Sequence, residues 1–246
     1  MRTTTKLLSI VLASLATFNG FAQPWRNVLN KAQTADSALR SGNRGTQQGN
    51  GNIINGLKEA LNKGVEKSVQ NLGRADGFLG NAALKILLPP EAQQVERTLR
   101  NIGMGKMVDE AIVSMNRGAE DAVQKATPIF VNAVKNLTVQ DGLQILRGAD
   151  TAATGYLRTQ TNTQLQQAFR PVINQSLEST GATKHWTDLV TAFNRVSLRK
   201  INPDLAGYVT EKATQGIFTE IAKEEQAIRK NPAARTTALL QQVFGN

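Results

Sequence analysis

The chain has no cysteine and one histidine, His185, in 246 residues. Without thiols it has no disulfides, no thiolate metal site and no cysteine to carry a lipid anchor. A lone imidazole rules out zinc sites built on a histidine pair, and any Ser-His-Asp arrangement would have to run through His185. That residue lies between Lys184 and Trp186 with no nucleophile motif around it, so it reads as a helix-surface residue beside a core aromatic. Aromatic residues make up only 5% of the chain. Ala, Leu, Gln, Asn and Thr take their place, a mixture that favours helices packed through small and aliphatic side chains. No loop of alternating acids marks a calcium site, and no cofactor is implied. The formal net charge is +10. Part of it falls in the N-terminal segments, which leaves a mildly basic domain that suits acidic partners without requiring nucleic acid.

The N-terminus reads as a secretory signal. Arg2 and Lys6 give a positive start, Leu7 to Phe18 an apolar stretch too short for a stable bilayer anchor, and Gly20-Phe21-Ala22 the small residues a signal peptidase reads. Cleavage is expected between Ala22 and Gln23, giving a soluble periplasmic protein with no transmembrane segment in its mature form. Residues 23–52 read as a short helix followed by a flexible linker. The Gly- and Asn-rich run after Ser41 has no apolar side chain to bury. The helical domain is expected to occupy 53–246.

Within that domain the apolar spacing is helical. Ile54, Leu57, Leu61, Val65, Val69 and Leu72 follow a 3.6-residue period that stops at Gly73. Phe78 and Leu79 lie in a turn-rich stretch and read as plugs that tie a loop to the core. The alternation of Leu84, Ile86 and Leu88 permits one short extended segment before Pro89-Pro90. Further helices are expected from Pro90, from Lys106, and across Pro128. Thr138 caps another, Asp150 the next, and a bend or new start falls near Pro171. Thr183 to Val196, a helix capped at Asn202-Pro203-Asp204, and a last helix from Pro232 complete the series. No fixed-period repeat is present. The expected fold is all-α, an irregular multi-helix bundle of about eight or nine helices.

Short motifs carry little. Gly103-Met104-Gly105-Lys106 lacks the first glycine and the preceding strand of a phosphate loop, and reads as a helix break. Ser197-Leu198-Arg199-Lys200 matches Ser-x-x-Lys without its companions. Asp109-Glu110 and Glu120-Asp121 are neighbours in sequence, and adjacent helical residues diverge by about 100°, so neither pair forms one site. The stretch most like a site is Gly148 to Arg158. Asp150 is a good N-cap for the N–H groups that follow, and helical spacing from Thr151 puts Thr154 and Arg158 on one side. With Asn116, Arg117, Glu211 and Arg235 these groups form either a structural clasp or a pocket for phosphate or carboxylate.

Six ordered motifs resemble a bacterial family of exported proteins, domain-of-unknown-function family 4197. They are Asp76-Gly77-Phe78-Leu79-Gly80-Asn81, Ser114-Met115-Asn116-Arg117, the stretch from Gly148 to Arg158, Asn202-Pro203-Asp204-Leu205, Tyr208-Val209-Thr210-Glu211-Lys212-Ala213, and the run from Asn231 to Thr237. The resemblance spans Ile53 to Gly245. It implies an envelope-directed helical protein and transfers no activity. Many members begin as lipoproteins, which this chain cannot do. The expected function is a non-enzymatic periplasmic domain that binds a small anionic molecule or an envelope component. The alternative is an envelope glycan or lipid hydrolase that works through a carboxylate.

Overall fold

The computed structural model describes residues 44–196 and 200–230. The chain divides into two compact units, residues 1–50 and 51–246. Of the first, only 44–50 are described, as the opening turns of helix α1. The helices are α1 (Arg44–Gly73), α2 (Gln93–Asn101), α3 (Gly105–Val123), α4 (Ala126–Lys135), α5 (Val139–Arg147), α6 (Ala152–Ser179), α7 (Ala182–Val196) and α8 (Leu205–Lys230), with a 3₁₀ turn at Pro90–Ala92. The described residues include no strand. None of the helices is long and apolar enough to cross a membrane.

The apolar periods become core faces. Leu57, Val65 and Leu72 of α1 are almost fully buried, each about two helical turns from the next. In α6 the buried positions Leu157, Thr161, Leu165, Phe169, Ile173 and Leu177 repeat every four residues without a break. This corrects the expected bend or start near Pro171. Proline removes one N–H and one helical hydrogen bond, but the packed stripe on both sides outweighs that loss, and two expected segments are one helix. Helical structure runs back to Arg44 through the Gly- and Asn-rich run, because each residue added to a formed helix gains a hydrogen bond. The short helix expected within 23–41, Ser197 to Arg199, and the last helix from Pro232 lie outside the described residues.

Helices α3, α6 and α8 pack on one another and form the centre, with α4, α5 and α7 against α6. Helix α1 meets α8 through polar contacts. Lys67 reaches Glu224 at 2.7 Å and Asn71 donates to Glu220 at 2.9 Å. The expected caps at Thr138 and Asp204 are present. Thr138 and Asp141 form a reciprocal capping box, and Asp204 accepts the Gly207 N–H at 2.9 Å.

The segment between α1 and the 3₁₀ turn is a loop rather than an extended strand. Its alternation survives as burial, with Ile86 and Leu88 inside and Leu87 outside. Phe78 is fully buried, as a plug should be, and its ring lies over Gly216 of α8. A Cβ at Gly216 would stand 2.6 Å from Phe78 Cε1. We expect Gly216→Ala to destabilise the domain by up to about 2 kcal/mol, since overpacking costs about 1–3 kcal/mol against the roughly 1 kcal/mol gained in helix propensity. Urea denaturation measures it, and an unchanged or higher midpoint would show that the ring has room to move.

Candidate functional site

The first turn of any α-helix leaves N–H groups without partners. At α6 the nearest candidate acceptor in sequence is Asp150, yet the structure gives the role to Glu225, which reaches across from α8. One Glu225 oxygen accepts the Ala153 N–H at 3.0 Å. The other accepts the Thr154 N–H and the Thr154 hydroxyl, both at 2.8 Å. Arg229, one turn further along α8, donates to Glu225 at 3.0 Å and to the Ile145 carbonyl near the end of α5 at 2.8 Å. A single turn of α8 therefore grips the end of one helix and the start of the next.

This corrects the reading of Asp150 as N-cap. Helix α6 starts at Ala152, and Thr151 in the cap position makes no side-chain cap hydrogen bond. Asp150 lies on the surface, 2.7 Å from Lys230. The Lys230 ammonium holds its carboxyl below the ordinary range. The correction extends to the ligand. A helix N-terminus attracts anions, but this one already holds the protein's own carboxylate, and Thr154 is buried beneath it.

Arg158 faces elsewhere. It is exposed, and its guanidinium lies 4.8 Å above the Phe218 ring. Among the described residues no carboxylate comes within ion-pair distance of it. It borders two neighbouring grooves between α6 and α8. The smaller, about 490 Å³, is lined by Thr151, Gly155, Lys223 and Gln226. The larger, about 630 Å³, is lined by Asn162, Gln166, Gln167, Arg170, Glu211 and Gln215. Glu211 accepts from Gln215 at 2.8 Å, and Arg170 grips Asp204 with two bonds of 2.8 and 3.0 Å.

Asn116 and Arg117 serve the loop instead. The fully buried Asn116 accepts the Ile86 N–H and donates to the Ile86 carbonyl, both at 2.8 Å. Glu120, also buried, accepts the N–H groups of Phe78 and Leu79 at 3.0 and 3.1 Å. Arg117 pairs with Glu120 at 2.6 Å and with Asp76 at 2.7 Å. Its partner Asp76 holds the positive φ of 64° that turns the chain there. Arg235 lies outside the described residues.

The predicted set thus divides. Arg158 and Glu211 share a groove and Thr151 lines the adjoining one. Thr154 belongs to the Glu225 cap, Asp150 pairs at the surface, and Asn116 and Arg117 hold a loop. The sequence reading passed over Glu225, Arg229 and Arg170. Glu225 did leave a signal, since it sits in core register with Ile217 and Ile221. Among the described residues no group of three His, Asp or Glu side chains could hold a metal ion.

The family model described as a protein of unknown function (DUF4197) matches residues 47–245, and the chain belongs to that family. No curated protein and no solved structure matches it.

The cap assignment has a direct test. Glu225→Ala leaves two backbone N–H groups uncapped and removes the Glu225–Arg229 ion pair. A loss of about 3 kcal/mol is expected from breaking a buried pair, read by chemical denaturation. Asp150→Ala should leave the midpoint unchanged within error. Equal losses in the two variants would return the capping role to Asp150.

Proposed function

We propose that this member of the family is an exported, non-enzymatic binding domain whose ligand face is the polar groove between α6 and α8. The ligand is a small polar molecule with an anionic group. Arg158 supports this reading most directly. Stacking on Phe218 fixes the guanidinium and is worth about 0.5–1 kcal/mol at an exposed site. A ring satisfies none of the guanidinium N–H groups, so these remain available to a carboxylate or phosphate, the anions that match their geometry. The amides of Asn162, Gln166, Gln167 and Gln215 add donors and acceptors along the same wall, the few convergent polar groups by which small-molecule sites gain specificity. Export rests on the charged start, apolar stretch and small residues up to Ala22, with the periplasm as the destination.

The hydrolase alternative would rest on Glu211, the carboxylate that lines the larger groove. Glycan hydrolysis usually needs two carboxyl groups flanking the bond. Asp204, near the other end, is tied to Arg170, and the buried Glu120 and Glu225 hold backbone N–H groups. Their engagement supports binding over hydrolysis.

Arg158→Ala separates a ligand site from a structural role. With inorganic phosphate as probe, millimolar additions should raise the melting temperature of the parent chain and leave that of the variant unmoved. Without phosphate the two chains should melt within about 4 °C, given the small stacking energy. A large drop without phosphate, or equal phosphate stabilisation of both chains, would assign Arg158 to structure alone.

A further inference from the structure

Four charged side chains line the two grooves between α6 and α8. Two are engaged, Arg170 with Asp204 at 2.8 Å and Lys223 with Glu220 at 3.7 Å. The other two, Arg158 and Glu211, carry opposite signs and line the same larger groove. Neither has an ion-pair partner among the described residues, and neither reaches the other. Lys212, beside Glu211, lies instead over the Tyr208 ring, 5.7 Å from its centroid. Gln215 donates to one oxygen of Glu211, and the second oxygen has no partner among the described residues.

The two charges stand apart along the groove. Arg158 lies over Phe218 while Arg170 meets Asp204, so α6 and α8 run antiparallel. Glu211 precedes Phe218 by two turns of α8, a rise of about 10 Å. Along the same stretch α6 presents Asn162 and Gln166, one and two turns beyond Arg158. Their carboxamides and that of Gln167 make no hydrogen bond within the described residues. Each offers an N–H donor and a carbonyl acceptor side by side.

We propose that the ligand is a short peptide with both termini free, its carboxylate on Arg158 and its ammonium on Glu211, an assignment that rests on this groove being the ligand face. A simple anion would satisfy Arg158 and be repelled by Glu211. A zwitterion meets both charges. A free amino acid is too short to do so. An extended chain rises about 3.4 Å per residue, so about three residues cover the interval. The carboxamides along α6 then meet peptide bonds, whose N–H and C=O groups match them as donor and acceptor. The Arg158 guanidinium can take the terminal carboxylate through two parallel N–H bonds.

Calorimetric titration tests this with tri-alanine, its N-acetyl and C-amide forms, and dialanine. The free tripeptide should bind about tenfold tighter than either blocked form, as the loss of one charged hydrogen bond allows. Dialanine, too short to reach both charges, should bind no better than the blocked forms. Glu211→Gln keeps the acceptor for Gln215. It should make the free and acetylated tripeptides equal and retain the preference for a free carboxylate. Arg158→Ala should do the reverse. Equal affinities of the free and acetylated tripeptides in the parent chain would overturn the proposal. So would an amine preference that survives Glu211→Gln, or uniform weakening of all four ligands by both variants. Failure of the wider reading looks different. Phosphate that stabilises the parent chain but not Arg158→Ala, with no heat from tri-alanine at millimolar concentration, keeps the anion site and rejects the peptide. If neither phosphate nor tri-alanine acts on the parent chain, the groove is not the ligand face and the peptide falls with it.

Discussion

The unpaired N–H groups at the start of α6 set the terms for the rest of the domain. Helix α6 runs through the centre and touches most of the other helices, so its first turn cannot be left to water. Glu225 meets that need with an ionised acceptor, which also suits the positive end of the helix dipole. Burying a carboxylate is costly unless its oxygens are occupied, and here Ala153, Thr154 and Arg229 occupy them. The same solution recurs at the loop after α1, where Glu120 accepts two consecutive N–H groups and Arg117 balances its charge. In a chain without disulfides, these two carboxylates fix irregular backbone to helices far away in sequence.

Helix α8 is shaped by this. It carries Glu220 and Glu224 toward α1 and Glu225 toward α6. Its central part carries the apolar residues that meet α3 and α6, together with Gly216, which makes room for Phe78. Its outer edge supplies Glu211 and Gln215 to the polar groove. Phe218 links two of these roles, since one ring packs edge-on against Phe130, with centroids 5.8 Å apart, and carries Arg158 above it. The groove thus rests on core packing, which is how a rigid polar site is normally supported.

The helical architecture was legible because a packed helix writes its period into the sequence. Leu57 to Leu72 and Trp186 to Phe193 show this. Local caps were legible for the same reason, since Thr138 and Asp204 act on residues three positions away. Asp150 has the right chemistry in the right place, but the choice between it and Glu225 depends on tertiary packing that local sequence does not encode. Pro171 misled in a similar way, because the rule that proline breaks helices gives way to a continuous core stripe. The groove was legible only in part. Arg158 and Glu211 stood out as polar groups on apolar helices, whereas Arg170 became relevant only once α6 proved continuous. The acidic residues in core register, Glu120 and Glu225, were the readable sign of where the buried polar contacts lie.

The distance in sequence between Glu225 and the helix it caps, about seventy residues, bears on the order in which the chain becomes ordered. Closing so long a loop is an entropic cost met before the contact returns anything. Until α8 arrives, the first turn of α6 has neither its acceptor nor the arginine that ties it to α5. The α5–α6 junction therefore completes late in folding. In the native state its amide protons should exchange through the opening of α8, so that the first turn of α6 and the last turns of α8 behave as a single cooperative unit.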